Sequence, residues 1–159
     1  MNDLSAVLWR ERELLELLTF KLEEEQLLLT AGRSRWVDHA SREVEQVLGR
    51  LRSVGLERSI ESAVVAEELG ASADAPLQDI VAVTPEGPWG EILGAHLRAM
   101  IELTTQIAAL RDENERFLRA AARATQETLA GAVGDTATYD ERGASGTTAT
   151  GARFFDGNL

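Results

Sequence analysis

At 159 residues the chain is about one domain's worth of polypeptide, long enough to bury a sizeable core. Its 16 Lys and Arg stand against 27 Asp and Glu, a formal net charge of -11 that repels phosphate backbones and argues against nucleic acid as a partner. The absence of Cys removes disulfide scaffolds, thiolate zinc sites and thiol nucleophiles together, and fits a reducing, cytoplasmic setting.

The start, Met1-Asn2-Asp3-Leu4, has no basic region ahead of an apolar run, so no secretory signal is expected. No stretch reaches the roughly 18 uncharged apolar residues of a membrane span, so no direct membrane insertion is expected either. From Leu4 to Thr30, Leu4, Val7, Leu8, Leu14, Leu15, Leu18, Leu22 and Leu29 recur at helical steps and share one face. Asn2 or Asp3 is positioned to cap this helix. Glu13, Glu16, Glu23 and Glu24 form its solvated side, and within the run Glu23-Glu24-Glu25 the last residue is the one nearest a core position. Trp9, Leu17, Phe20, Leu27 and Leu28 widen the apolar surface, and a helix apolar over so much of its girth needs neighbours on more than one side.

Gly32 breaks the pattern, and Ser34 is a candidate cap for a second helix bearing Trp36, Val37, Ala40, Val44, Val47, Leu48 and Leu51 on one face. This helix is expected to run to about Val54, with Gly55 as a stop or kink. Two helices joined by a short turn make an antiparallel hairpin. Leu56 to Leu69 suggests a shorter third helix ended by Gly70, and Pro76 suits the first turn of a small one holding Leu77, Ile80 and Val81. Thr84 to Gly90, with two Pro and two Gly, reads as a turn. The stretch Ser62 to Val83 imitates a helix-turn-helix, but its second helix offers Gln78 and Asp79 with no Arg or Lys, so it cannot hold phosphates.

The last helix begins near Trp89 and carries the cleanest periodicity. Leu93, Met100, Ile107, Asn114, Ala121 and Thr128 form one register of a heptad seam. His96, Leu103, Leu110, Phe117 and Ala124 form the other. Five repeats make a helix roughly 60 Å long. Beyond Phe117 the seam turns to Ala and Thr and leaves shallow grooves, a surface on which another helix can lie. Leu110, Phe117, Leu118, Ala121, Ala124 and Leu129 are therefore the candidate client-binding residues. From Gly131 to Leu159 the chain holds six of its 13 Gly and no heptad, which predicts a flexible tail. Its aromatics, Tyr139, Phe154 and Phe155, are candidate docking anchors. The expected architecture is all-α, an antiparallel hairpin plus a long C-terminal helix over residues 1–130, followed by a disordered tail over 131–159.

Catalytic chemistry has little to work with. His39 falls on a polar helix side and reads as a surface residue, while His96 falls on the seam and reads as a packing residue. No nucleophile is placed beside either, and neither repeated Glu-x-x-His signatures nor a phosphate loop occurs. Lys21 is the sole lysine. Neither a cofactor nor a metal is expected.

The Glu-Glu-Glu-Gln-Leu-Leu-Leu run at 23–29, the short middle, the long last helix and the tail with Thr138-Tyr139 and Arg153-Phe154-Phe155-Asp156 together resemble the FlgN-type flagellar export chaperones. The form is the Arg- and Ala-rich one found in high-GC bacteria, and the resemblance covers essentially the whole chain. The Leu pattern of Leu14 to Leu28 and the tail Tyr are its best markers, although Asp140 stands where family members often carry a Gly. The resemblance implies a non-catalytic cytoplasmic chaperone that holds the hook–filament junction proteins FlgK and FlgL and delivers them to the export gate. It implies that the end of the last helix and the tail bind client, and that Tyr139 docks at the gate protein FlhA. A monomer is then favoured over a dimer. The competing reading is a structural adaptor that dimerises through the 93–128 seam, with Asn114 setting the register.

Overall fold

In a computed structural model, α1 spans Asn2–Thr30, α2 Ser34–Glu68, α3 Leu77–Val83 and α4 Pro88–Gly134. The structure describes residues 1–134, and no strand occurs among them. The fold is all-α, as the periodicity requires. The chain divides into two compact units, Met1–Arg119 and a second beginning at Ala120, with α4 contributing residues to both.

Both ends of the turn chemistry follow from glycine. At the end of α1, Gly32 takes φ 65° while the amides of Arg33 and Gly32 donate back to the carbonyls of Leu28 and Leu29. At the end of α2, Gly70 takes φ 74° and the amides of Ala71 and Gly70 donate to Ala66 and Glu67. Each is a left-handed helix stop that a side chain would strain. The first brings α2 back antiparallel to α1. The second starts the loop into α3, where Pro76 sits in extended backbone just ahead of the helix.

Four sequence expectations need correction. Gly55 does not stop α2, which continues through it to Glu68 and absorbs the expected third helix. The cost of a mid-helix glycine is about 1 kcal/mol, and burial of Val54 before it and Ser62, Val65 and Ala66 after it outweighs that. Neither Asn2 nor Asp3 caps α1: Met1 is the cap residue, with no side-chain bond, and its carbonyl accepts from the Ser5 amide. Ser34 is likewise already helical, behind Arg33. Both helix starts lie in exposed residues, where water satisfies free amides. The turn before α4 is shorter than expected, because Pro88 with its fixed φ opens the helix directly after Gly87.

Within the first unit the core forms in three clusters along α1. Leu4 and Leu8 of α1, Val65 and Ala66 of α2, Leu77 and Ile80 of α3 and Leu93 of α4 meet at one end. Val7, Leu14 and Val54 join α1 to α2 midway. Leu18, Leu22 and Val47 form the far cluster, with Ile107 and Leu110 of α4 packed against it. Both α2 and α4 pack on α1, but of the residues that widen its apolar surface Trp9, Phe20 and Leu27 stay exposed, so the packing covers only part of that girth. The segment that imitated a helix-turn-helix buries Leu77 and Ile80 as a plug over the first cluster.

Candidate functional site

The far cluster is not closed over. Between α2 and α4, with α1 as the floor, lies a groove of about 490 Å³. Leu18, Leu22 and Glu25 form the floor, Val44 and Leu48 one wall, and Ile107, Arg111, Asn114, Glu115 and Leu118 the other. The wall on α4 extends over twelve residues from Ile107 to Leu118, about 16 Å or three helical turns. Its lining is mainly aliphatic; apart from the buried Glu25, the charges are exposed, with Glu115 accepting from Arg119 at 2.5 Å and Arg111 3.6 Å from Asp112.

A polar clasp fixes the groove's depth. Asn114, 2% exposed, donates from Nδ2 to the Leu22 carbonyl at 2.9 Å and to Glu25 Oε2 at 3.0 Å. Glu25 Oε1 in turn accepts from Ser41 Oγ of α2. The chain Ser41–Glu25–Asn114 therefore ties α2, α1 and α4 at one level, with a buried carboxylate held by two donors. Asn114 Oδ1 is buried with no partner among the described residues. Glu25 was expected to be the member of its run nearest the core, and it is 6% exposed.

The opposite end holds the other buried polar groups. His96, 2% exposed, lies edge-on to Trp9 with ring centroids 5.1 Å apart, and Arg12 covers the Trp9 ring at 4.7 Å. Ser5 Oγ stands 3.5 Å from His96 Nε2, and Nδ1 finds no partner among the described residues. A Ser–His pair without an orienting acid is not a nucleophilic device; His96 packs, as its seam position implied. Burial, and secondarily the charge of Arg12, pushes its pKa below the usual 6.5. Nearby Glu11 pairs with Arg58 at 2.8 Å; burial raises its pKa and Arg58 opposes the rise. His39 is exposed beside Glu43, as expected for a surface residue. Lys21, the sole lysine, is clamped between Glu24 at 2.6 Å and Glu43 at 2.7 Å, and these bonds raise its pKa and keep it an ion.

Among the described residues no group of three His, Asp or Glu is placed to hold a metal. No described helix is long and apolar enough to cross a membrane. Of the sequence-selected residues, Leu118 lines the groove, Leu110 packs on the far cluster, and Phe117 is half-buried. Ala121, Ala124 and Leu129 are exposed in the second unit. Tyr139, Phe154 and Phe155 lie outside the described residues.

Sequence reasoning missed the contribution of α1 and α2 to the groove: Leu18, Leu22, Val44 and Leu48 read there as ordinary core. The signal was present in polar residues at core positions, Glu25 on α1 and Asn114 on α4, which mark the level where the bundle stays open. A family model described as FlgN protein matches residues 1–147 of the chain. No curated protein and no solved structure matches it.

Proposed function

Because the chain belongs to the FlgN family of flagellar export chaperones, we propose that it is a cytoplasmic carrier of hook–filament junction proteins of the FlgK and FlgL kind. In this reading it covers an amphipathic terminal helix of the client and delivers it to the export gate without a catalytic step. The observation that carries the reading is the open groove between α2 and α4, three turns long, lined mainly by aliphatic side chains with Glu25 and Asn114 bonded to each other at its base and charges at its rim. A client helix laid there occupies the fourth position of a bundle of which α1, α2 and α4 supply three, with apolar anchors at i, i+3 or i+4 and i+7. Ala121, Ala124 and Leu129 are exposed in the second unit and serve as further client contacts. Tyr139, Phe154 and Phe155 serve in tail docking, with Tyr139 directed at FlhA.

The adaptor that dimerises through the 93–128 seam loses ground on one observation. Leu93, His96 and Asn114 are buried within a single chain, and Asn114 makes its register-setting bonds to α1. A second copy has no access to those three positions, which supports reading the working form as a monomer.

Calorimetric titration with a terminal segment of a FlgK- or FlgL-like client tests the proposal. Leu118 is 39% exposed, so Leu118→Asp keeps the fold while placing a charge on the groove wall. Its client affinity is expected to fall at least tenfold, roughly 1.4 kcal/mol, and Phe117→Asp is expected to lose affinity as well. Full affinity in both variants, with native helicity, would overturn the groove as the client site. Deletion of 131–159 is expected to weaken client or gate binding; unchanged binding in both assays would remove the tail.

A further inference from the structure

We propose that the outer face of α2 is a second docking surface, which takes a helix whose apolar ridge is bordered by Lys or Arg. Leu56, Ile60 and Val64 follow one another at four-residue steps and are 70%, 65% and 49% exposed. With Ala63 they form one continuous stripe on the side of α2 opposite its buried residues Val54, Ser62 and Val65. Of the stripe, Ile60 lines a shallow hollow of about 320 Å³ between α1 and α2, together with Val7, Arg10 and Glu57. None of its residues belongs to the client groove.

Charge identifies the occupant. Glu57, Glu61 and Glu68 run along one border of the stripe, Glu67 lies within its far end, and Asp3 of α1 faces the hollow. Glu57 is paired with Arg10 at 2.7 Å. Asp3, Glu61, Glu67 and Glu68 make no ion pair among the described residues. The other border, Gly55 and Ser59, carries no charge, and the one cation in that row, Arg52, stands a turn ahead of Leu56. A second copy would set one acidic border against another, and like charges across an interface cost affinity. A helix with Lys or Arg beside its apolar ridge meets apolar surface and opposite charge at once. One ridge buries less than the roughly 1,200 Å² of a stable complex, so the contact is transient and weakened by salt. A carrier with two separate surfaces can hold its cargo while it engages a basic helical partner.

Two designed helical peptides test this on the full chain. Both carry the same leucine ridge over about five turns, one bordered by Lys and the other by Glu. The Lys peptide is expected to shift the backbone amide signals of Leu56, Ile60, Ala63 and Val64, to bind at least tenfold more weakly to Ile60→Asp, and to release as salt rises. The Glu peptide is expected to leave those signals in place. The double variant Glu61→Lys with Glu68→Lys provides the same loss without touching the apolar stripe. Equal binding of both peptides, or shifts at Leu48 and Leu118 instead, would overturn the proposal. A concentration-dependent mass abolished by Ile60→Asp would also overturn it, by showing that a second copy covers the stripe. None of these outcomes depends on whether the groove holds a flagellar client.

Discussion

Asn114 occupies a core position of α4 where an aliphatic residue would pack, and its two donor bonds to α1 are the reason it is tolerated there. Asn114→Ala strips a donor from the buried Glu25 carboxylate and from the Leu22 carbonyl. It is expected to destabilise the fold by about 1–3 kcal/mol, read from the midpoint of urea unfolding. Asn114→Asp sets a second carboxylate against Glu25 and is expected to cost more at pH 7 than at pH 4. Equal stability of the two variants at both pH values would show that Glu25 is not held by this residue. His96 gives the other residue-scale expectation. Its folded pKa lies below 6.5 because burial and Arg12 disfavour the imidazolium. The unfolded chain therefore takes up the proton first, and the stability held by neutral His96 is present above pH 6.5 and is lost as pH falls from there toward the folded value. Glu11, whose pKa is raised by burial, acts with the opposite sign as pH climbs above 4.5. The difference between wild type and His96→Leu isolates the histidine: thermal melts at pH 7 and pH 5.5 are expected to show the wild type losing more. Parallel losses would mean that His96 titrates normally.

The helices follow from patterns that the linear sequence carries openly, because burial demands the same periodicity that a helix supplies. The stops at Gly32 and Gly70 were legible for a backbone reason, since only glycine takes their positive φ without strain. Gly55 misled for the complementary reason: glycine lowers helix propensity anywhere, while whether the helix continues is decided by burial on both sides of it. Two substitutions separate these roles. A Cβ at Gly55 meets nothing within 4 Å and the backbone is helical, so Gly55→Ala is expected to stabilise by about 0.5–1 kcal/mol. Gly70→Ala also has open space, but its φ of 74° is expected to make it destabilising by about 1–2 kcal/mol. Denaturation midpoints moving in the same direction would break the distinction. The groove was half legible. Leu118 and the thinning seam pointed to α4, but periodicity marks Leu18, Leu22, Val44 and Leu48 as apolar without telling which apolar residues a neighbouring helix leaves uncovered. That distinction depends on how α2 and α4 flank α1, which no single helix encodes.

At the scale of the molecule, a charge of -11 and twelve large apolar residues left exposed among the described residues belong together. Net charge keeps copies apart while the apolar surface stays available to other chains. Sedimentation equilibrium is expected to return the mass of one chain at every concentration, because the first half of the α4 seam is already filled from within. A tight dimer would favour the adaptor. The central claim is that a client helix lies between α2 and α4. The most direct measurement replaces Leu48, and separately Leu118, with a photocrosslinking amino acid in the full chain and irradiates each with a hook–filament junction client. Crosslinks are predicted at both groove positions and none when the same group replaces Ile60 on the outer face of α2. Crosslinking at position 60, with none at positions 48 and 118, would contradict the account.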